Sequence, residues 1–264
     1  MTVPIALSIA GSDPSGGAGI QADLKTFAAY GVYGATVLTC ATAQNTVGVR
    51  ATGELAVELV AAQLDAVLED LPVAAIKTGM LGRAAIVAIV AERVARCAAP
   101  LVVDPVMVAT SGDALLSADG IEALRTLLLP HARLVTPNLR EAAVLAGRAV
   151  ETLDDMRTAA RAIRDLGPRA VLVKGGHLSG TACDVLLDGD DLHELAAPRV
   201  AIERLHGSGC TLSAAITAGL ARGVPLLAAV ASAKAYVHEA ITHALVVGRG
   251  ARPLDHRVRP VRDV

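Results

Sequence analysis

Short β-rich runs alternate with helical patterns along most of this chain, and few architectures accept that rhythm. The runs are "IALSIA" from Ile5, "ATVLTCA" from Ala35, "AAIKTG" from Ala74, "LVVDPVM" from Leu101, "RLVTP" from Arg133 and "AVLVKGG" from Ala170. Several are continuously apolar, the mark of strands buried on both faces of a parallel sheet. Between them the spacing predicts helices over residues 55–69, 84–95 and 153–165, the last with Thr152 and Asp155 placed as a capping box. After Lys174 the texture changes. "CDVLLDGDDLHELAAPRV" reads as a hairpin around Gly189, so the sheet is expected to end in antiparallel strands. No linker, repeat or low-complexity tract interrupts the 264 residues, which predicts one three-layer α/β domain over residues 1–264 with a mostly parallel sheet.

In such a domain ligands bind outside the carboxyl ends of the strands. That rule gathers the polar clusters that follow each run onto one rim: "AGSDPSGGAG", "AQNT", "KTGM", "DPVMVATSGD", "TPNLRE" and "KGGH". Charge and composition narrow what the rim can meet. The net charge is -2 with no basic block, and aromatic residues make up only 2%, so neither a phosphate-tracking surface nor a stacking platform for nucleic acid is expected. No apolar stretch is long enough to span a bilayer, and the first residues lack the basic region of a signal peptide. The four cysteines are scattered without a C-x-x-C, which suits free thiols in a cytoplasmic protein. A small-molecule ligand remains.

The clearest chemical signal is "HGSGCTLSAAITAGL", His206 to Leu220. Leu212, Ala215, Ile216, Gly219 and Leu220 fall at helical spacing, and Gly207 and Gly209 upstream permit a tight turn. A turn running into a helix start aims unpaired amides and the helix dipole at one spot, which suits an anion. An ordinary glycine turn would look the same, except for Cys210. Elsewhere on the rim, Gly11, Gly16, Gly17 and Gly19 allow close approach, but neither G-x-G-x-x-G nor a P-loop is present. Asp23 in the following helix reads equally as a solvated carboxylate or a ligand contact. Gln44 offers a donor and an acceptor for the edge of a nitrogen heterocycle, or for local backbone. Asp104 ends a strand. Asn138 and Glu141, three apart, suit a Mg²⁺ held with phosphates and water, or simply a helix cap. Lys174 ends an apolar strand before two glycines, a setting that suits a phosphate. The seven histidines show no metal spacing.

Taken together, "GSDPSGGAGIQADLKTFAAYGVYG", "AQNTVGV", "KTGML", "VVDPVMVATSGDALL", "LVTPNLREA", "VLVKGGH" and "HGSGCTLSAAI" resemble the hydroxymethylpyrimidine/phosphomethylpyrimidine kinases of thiamine biosynthesis, of the ribokinase-like fold. The motifs run in order over most of the chain; the hairpin and the last forty or so residues are generic. The resemblance implies ATP and Mg²⁺, a homodimer, and phosphorylation of 4-amino-5-hydroxymethyl-2-methylpyrimidine on its alcohol and then on the new phosphate. It places Gln44 on the pyrimidine edge and Gly11, Asp23, Met80 and Val106 in the same pocket. It assigns Lys174 and Thr211 to ATP phosphates, and Asn138, Glu141 and Asp104 to the ion, partly through water. Gly207, Ser208, Gly209 and Cys210 would form the anion hole, with Cys210 facing the reacting hydroxyl. Many sugar kinases of this fold carry aspartate there, and Gly-Thr-Gly-Cys is the more usual loop. A thiol at a helix N-terminus is expected to have a lowered pKa and some thiolate near neutral pH.

Three other readings compete. A pyridoxine or pyridoxal kinase would share the cysteine loop. A non-catalytic ligand-binding regulator would have no need for Lys174, Glu141 and Cys210 together. A dinucleotide oxidoreductase would want the fingerprint that is absent.

Overall fold

Ile5–Ser12 (β1) and Gly19–Ala29 (α1) open the chain, followed by Tyr33–Asn45 (β2), Gly48–Glu54 (β3) and Val57–Asp70 (α2). Then come Ala75–Thr78 (β4), Ala84–Val94 (α3), Leu101–Val103 (β5), Ala118–Ala123 (α4), Leu134–Val135 (β6), Leu139–Ala146 (α5) and Leu153–Arg164 (α6). Ala170–Val173 (β7), Ala182–Asp188 (β8), Asp191–Ala197 (β9), Leu205–His206 (β10), Ser208–Ala221 (α7), Leu226–Thr242 (α8) and Arg252–Pro253 (β11) complete it. This computed structural model describes residues 3–108, 115–176, 178, 182–202 and 204–260. The stretch "ATSGD" (109–113) and His177, both assigned to the rim above, lie outside the described residues.

Nine strands form one sheet in the order β3-β2-β1-β4-β5-β6-β7-β8-β9, with the six from β2 to β7 mutually parallel. Both edges turn antiparallel, β3 on β2 and β8–β9 on β7. Neighbouring residues in a strand face opposite sides, and the sequence exploits this. Leu7, Ile76, Val103, Val135 and Val171 pack under the helices α2, α3, α5 and α6. Ala6, Ala75 and Ala170 face the other way, with Val102 and Leu134, toward α1, α7 and α8. The small residues on that side let α7 lie close against the sheet, and α7 is itself buried almost all round. Tyr30 and Tyr236 meet edge-on there, with centroids 5.3 Å apart.

Three differences from the sequence reading matter. The fourth parallel strand stops at Val103 because Pro105 cannot donate to a ladder, which leaves Asp104 on the rim. The second strand runs on to Asn45, so Gln44 belongs to it. Its partner β3 is polar and largely exposed, with no apolar period to betray it. The Thr152–Asp155 capping box and the hairpin around Gly189 are both present. Among the described residues no helix is long and apolar enough to cross a membrane.

Candidate active site

The anion turn is built by two glycines for different reasons. Gly207 sits at φ +85°, and a Cβ there would lie 1.8 Å from the Gly17 carbonyl oxygen. Gly209 needs no left-handed backbone. It lies in the first turn of α7, where a Cβ would come within 3.2 Å of Lys174 Nζ. The first intrahelical bond runs from Thr211 N to Gly207 O, so the amides of Ser208, Gly209 and Cys210 precede the ladder and are available to an anion. Thr211 itself is fully buried. Its hydroxyl donates to Gly207 O at 2.8 Å and meets His256 Nε2 at 3.0 Å, which leaves no part of its side chain for a phosphate. Burial pushes the His256 pKa down to about 4, consistent with a neutral ring braced under the turn.

Lys174 and Asp104 face that turn from β7 and β5. Lys174 Nζ donates to Asp104 Oδ1 at 2.9 Å, and Asp104 also accepts from Thr136 and Ser213 at 3.2 Å each. Burial opposes the Asp104 charge, but Lys174 and Lys77 outweigh it and hold the carboxyl below its ordinary range. Glu141 lies nearby, and there burial wins, pushing its pKa up to about 7 against the pull of Lys174. Asn138 and Glu141 complete a capping box at the start of α5: Asn138 Oδ1 accepts from Glu141 N at 3.0 Å, and Glu141 Oε2 from Asn138 N at 2.8 Å. Among the described residues no cluster forms an all-protein metal cage.

Beneath the turn lies a buried ion pair. Lys77 Nζ and Asp23 Oδ1 are 2.7 Å apart with both side chains fully buried, and Ser8 donates to the other carboxylate oxygen at 2.6 Å. Burial works against the Lys77 charge, yet Asp23, Cys210 and Asp104 together keep its pKa raised. For Asp23, burial prevails over Lys77 and the pKa is raised. Asp23 is thus neither solvated nor on an open pocket wall. Cys210 keeps partial exposure, but desolvation by the protein around it pushes the thiol up to about 11, with Lys77 only partly offsetting this. The helix start does not bring it below its ordinary value, so the expected thiolate near neutral pH is corrected to a thiol.

The first loop closes the site from the opposite side. Asp13 accepts from the amides of Ser15, Gly17 and Ala18 at 2.9, 3.1 and 2.8 Å, from Ser15 Oγ at 3.0 Å, and faces His206 Nε2 at 2.9 Å. Burial opposes this charge, but His206 and the other donors bring its pKa down to about 2. A depressed carboxylate stabilises the fold above its unfolded pKa and loses that stabilisation as pH falls through its folded value. Asp13→Asn is therefore expected to cost about 2 kcal/mol at neutral pH, and the gap to wild type should narrow between about pH 4 and pH 2. Urea titrations across that range test it; a constant gap would mean the charge is not what holds the loop.

The structure thus brings Gly207–Cys210, Lys174, Asp104 and Glu141 together, with Lys77 and Asp23 beneath. Gly11 is buried against Cys40 and Met80, where a Cβ would lie 2.7 Å from Cys40 Sγ and 3.3 Å from Met80 Sδ. Val106, half-buried, follows Asp104. Gln44 lies beside His206 at 3.1 Å. Sequence reasoning missed Asp13, Lys77 and His206. A lysine inside the apolar run "AAIKTG" was the available signal for Lys77. A groove of about 1010 Å³ along β9 and α8, lined in part by Lys234 and His238, contains none of the rim residues. Chemistry rather than size locates this site.

The chain is similar to known proteins over nearly its full length. Residues 13–255 match the family model described as phosphomethylpyrimidine kinase. A hydroxymethylpyrimidine/phosphomethylpyrimidine kinase of Rhizobium meliloti is 57% identical over 256 residues, 96% of each chain. Among solved structures, phosphomethylpyrimidine kinase from Clostridium difficile superimposes with a TM-score of 0.81 at 43% identity, covering 91% of this chain and all of that one. An ADP complex of Bacillus subtilis pyridoxal kinase superimposes with a TM-score of 0.90 at 38% identity, covering 97% and 98%.

Proposed function

The chain belongs to the phosphomethylpyrimidine kinase family, and from that membership we propose how its rim residues phosphorylate hydroxymethylpyrimidine with ATP, first on the alcohol and then on the monophosphate. The observation that carries the reading is the meeting of Lys174, Asp104 and the bare amides of Ser208–Cys210 at one point on the rim. A transferring phosphoryl group spreads charge over its equatorial oxygens, so the protein's main task is to hold that charge in line. The amides and Lys174 do so. Asp104 keeps the lysine in place.

The donor set fits Mg²⁺ held through water and phosphates rather than a cage of side chains. Glu141 is a buried carboxylate that burial holds near half-protonation, a cost that a divalent cation would relieve. Asp104 and Glu141 would hold such an ion, with Asn138 shaping the turn beside it; the ion would neutralise phosphate charge. Gln44 reads the ring, with Gly11, Met80 and Val106 as the floor of the pocket and Asp23 acting through Lys77. The site draws on residues from Gly11 to Cys210, and the C-terminal segment returns through His256, which supports one catalytic unit over the 264 residues. Exposed Tyr33, Val47, Val246 and Val247 support a homodimer, checked by sedimentation. Free thiols and a need for ATP suit the cytoplasm.

The pyridoxal kinase reading is weaker, since that neighbour is 38% identical against 57% for the pyrimidine kinase. Purified protein with Mg·ATP and each alcohol, products resolved by mass, should show turnover of the pyrimidine to mono- and diphosphate. Turnover of pyridoxal alone would overturn the assignment.

Gln44→Leu should weaken pyrimidine binding by about 1–3 kcal/mol for each ring group left unpaired. Unchanged affinity by calorimetry would place Gln44 outside the pocket.

Cys210 faces the reacting hydroxyl, whose proton must leave during the first transfer. As a base with a pKa of about 11, Cys210 is deprotonated only in a small fraction at neutral pH. That fraction grows tenfold per pH unit below the pKa, so the first step should accelerate by roughly tenfold for each pH unit between about pH 6.5 and 9. The second step uses a phosphate monoester that is already largely ionised above its second pKa of about 6, and should be nearly flat. Cys210→Ala should abolish the slope of the first step. Single-turnover rates from the two acceptors decide this; a flat wild-type profile for the alcohol would remove Cys210 as a base.

A further inference from the structure

Gln44 touches two neighbours, and both place the same demand on it. Its amide nitrogen stands 3.1 Å from His206 Nε2, and its amide oxygen 3.2 Å from Thr42 Oγ1. His206 Nε2 also faces the Asp13 carboxylate at 2.9 Å, and a carboxylate only accepts. The proton between them therefore rides on His206 Nε2. That nitrogen is then a donor, and the Gln44 group beside it must be an acceptor. Thr42 gives the same answer independently. Its single hydroxyl proton goes to Ser12 O at 2.9 Å, so toward Gln44 it can only accept. A side-chain amide turned by half a rotation exchanges its oxygen and nitrogen at no steric cost, and its orientation is decided by its partners. Both partners require the oxygen on His206 and the nitrogen on Thr42.

We propose that His206 is a positioning residue that sets which way round the Gln44 amide meets the substrate, and that it thereby selects an aminopyrimidine edge over the corresponding oxo edge. The inference rests on the reading above that Gln44 meets the ring. With the amide clamped, one N–H and one oxygen lone pair remain uncommitted, in a fixed order. An aminopyrimidine shows an exocyclic donor beside a ring-nitrogen acceptor. Its 4-oxo counterpart shows an acceptor beside a ring N–H donor, the reverse order. An amide free to turn serves both. A clamped one sets like against like for the second.

The clamp is well braced. Asp13 is held by three backbone amides of the first loop, and the His206 side chain is only 11% exposed. Gly17 lies so close to the imidazole that a Cβ there would fall 2.6 Å from His206 Cδ2. The ring therefore has little room to swing away from Asp13.

The test compares kcat/KM for 4-amino-5-hydroxymethyl-2-methylpyrimidine and its 4-oxo analogue in four proteins. Wild type should prefer the amino compound by a factor of about ten or more, the scale for a mispaired buried hydrogen bond. His206→Phe fills the space without a donor, and the preference should fall by about that factor as the amide becomes free to turn. His206→Gln, which returns an N–H near the same point, should restore most of it, a rescue that mere packing would not give. Gln44→Leu should lose the preference altogether. If Gln44→Leu loses it while His206→Phe keeps it, the inference falls and the reading of Gln44 stands. If Gln44→Leu keeps it, that reading falls as well. Should the His206 variants fail to fold, the wild-type protein decides alone: ¹⁵N spectra of the imidazole must show His206 protonated at Nε2, and an unprotonated Nε2 overturns the proposal.

Discussion

Replacing Lys174 with alanine is expected to slow both phosphoryl transfers by about 100-fold or more, the scale of losing one preorganised charge from a transition state. Both steps should suffer, because each moves the same phosphoryl charge past the same point whatever the acceptor. The geometry sharpens the expectation. Lys174 is held at 2.9 Å by Asp104, whose carboxylate is fixed in turn by Thr136 and Ser213, so the ammonium waits in position rather than sampling many rotamers. Its removal also strips Asp104, only 3% exposed, of its closest counter-charge and weakens the fit to any phosphate above it. Single-turnover rates from the alcohol and the monophosphate give the result. Retention of near wild-type rates in both would make Lys174 a structural residue.

The largest effect on stability should come from Lys77. In Lys77→Met the Asp23 carboxylate stays fully buried with Ser8 as its remaining polar partner. Breaking such a pair from one side costs about 3–5 kcal/mol, because one charge is left uncompensated. Replacing both partners, as in Lys77→Met with Asp23→Leu, removes both charges and should recover much of that loss. Urea denaturation of the three proteins measures it. If the double variant is no more stable than the single one, the pair is not the unit that matters. In the single variant Cys210 loses the cation that lowers its pKa while Asp23, which raises it, remains, so its alkylation at a given pH should slow; the double variant also loses Asp23 and should recover part of that rate.

Much of the fold was legible because it rests on burial. Runs such as Ala170–Val173, apolar on both faces, admit little besides a central parallel strand, and the polar residue after each run falls on the rim by topology alone. The edges were less legible. β3 carries Val49, Arg50 and Thr52 without period, and what makes it a strand is the continuation of β2 beside it, a tertiary fact. At the site, residue types pointed to Lys174, Asp104 and the Gly207 turn. Their electrical state did not follow from local pattern. Cys210 sits at a helix N-terminus, as a reactive thiol would, but neighbours from across the sheet take away its water and raise its pKa. Asp13 and His206 meet across 193 positions of sequence, a separation that no motif spans.

That separation has a consequence for how the protein is made. The Gly17 carbonyl and the Gly207 turn sit back to back with no side chain between them, and Asp13 is tied to His206 across the same seam. Closing so long a loop is slow relative to local pairing, so this seam belongs to the late events of folding. A nascent chain lacking its final quarter has made the glycine loop, Asp104 and Lys174, yet has no anion turn for them to face. During most of synthesis the Asp13 carboxylate has only its own loop for company. Binding of a phosphate-bearing ligand at the rim thus reports that the glycine loop and the Gly207 turn have met, and saturating ligand would stabilise the folded protein by holding that seam closed.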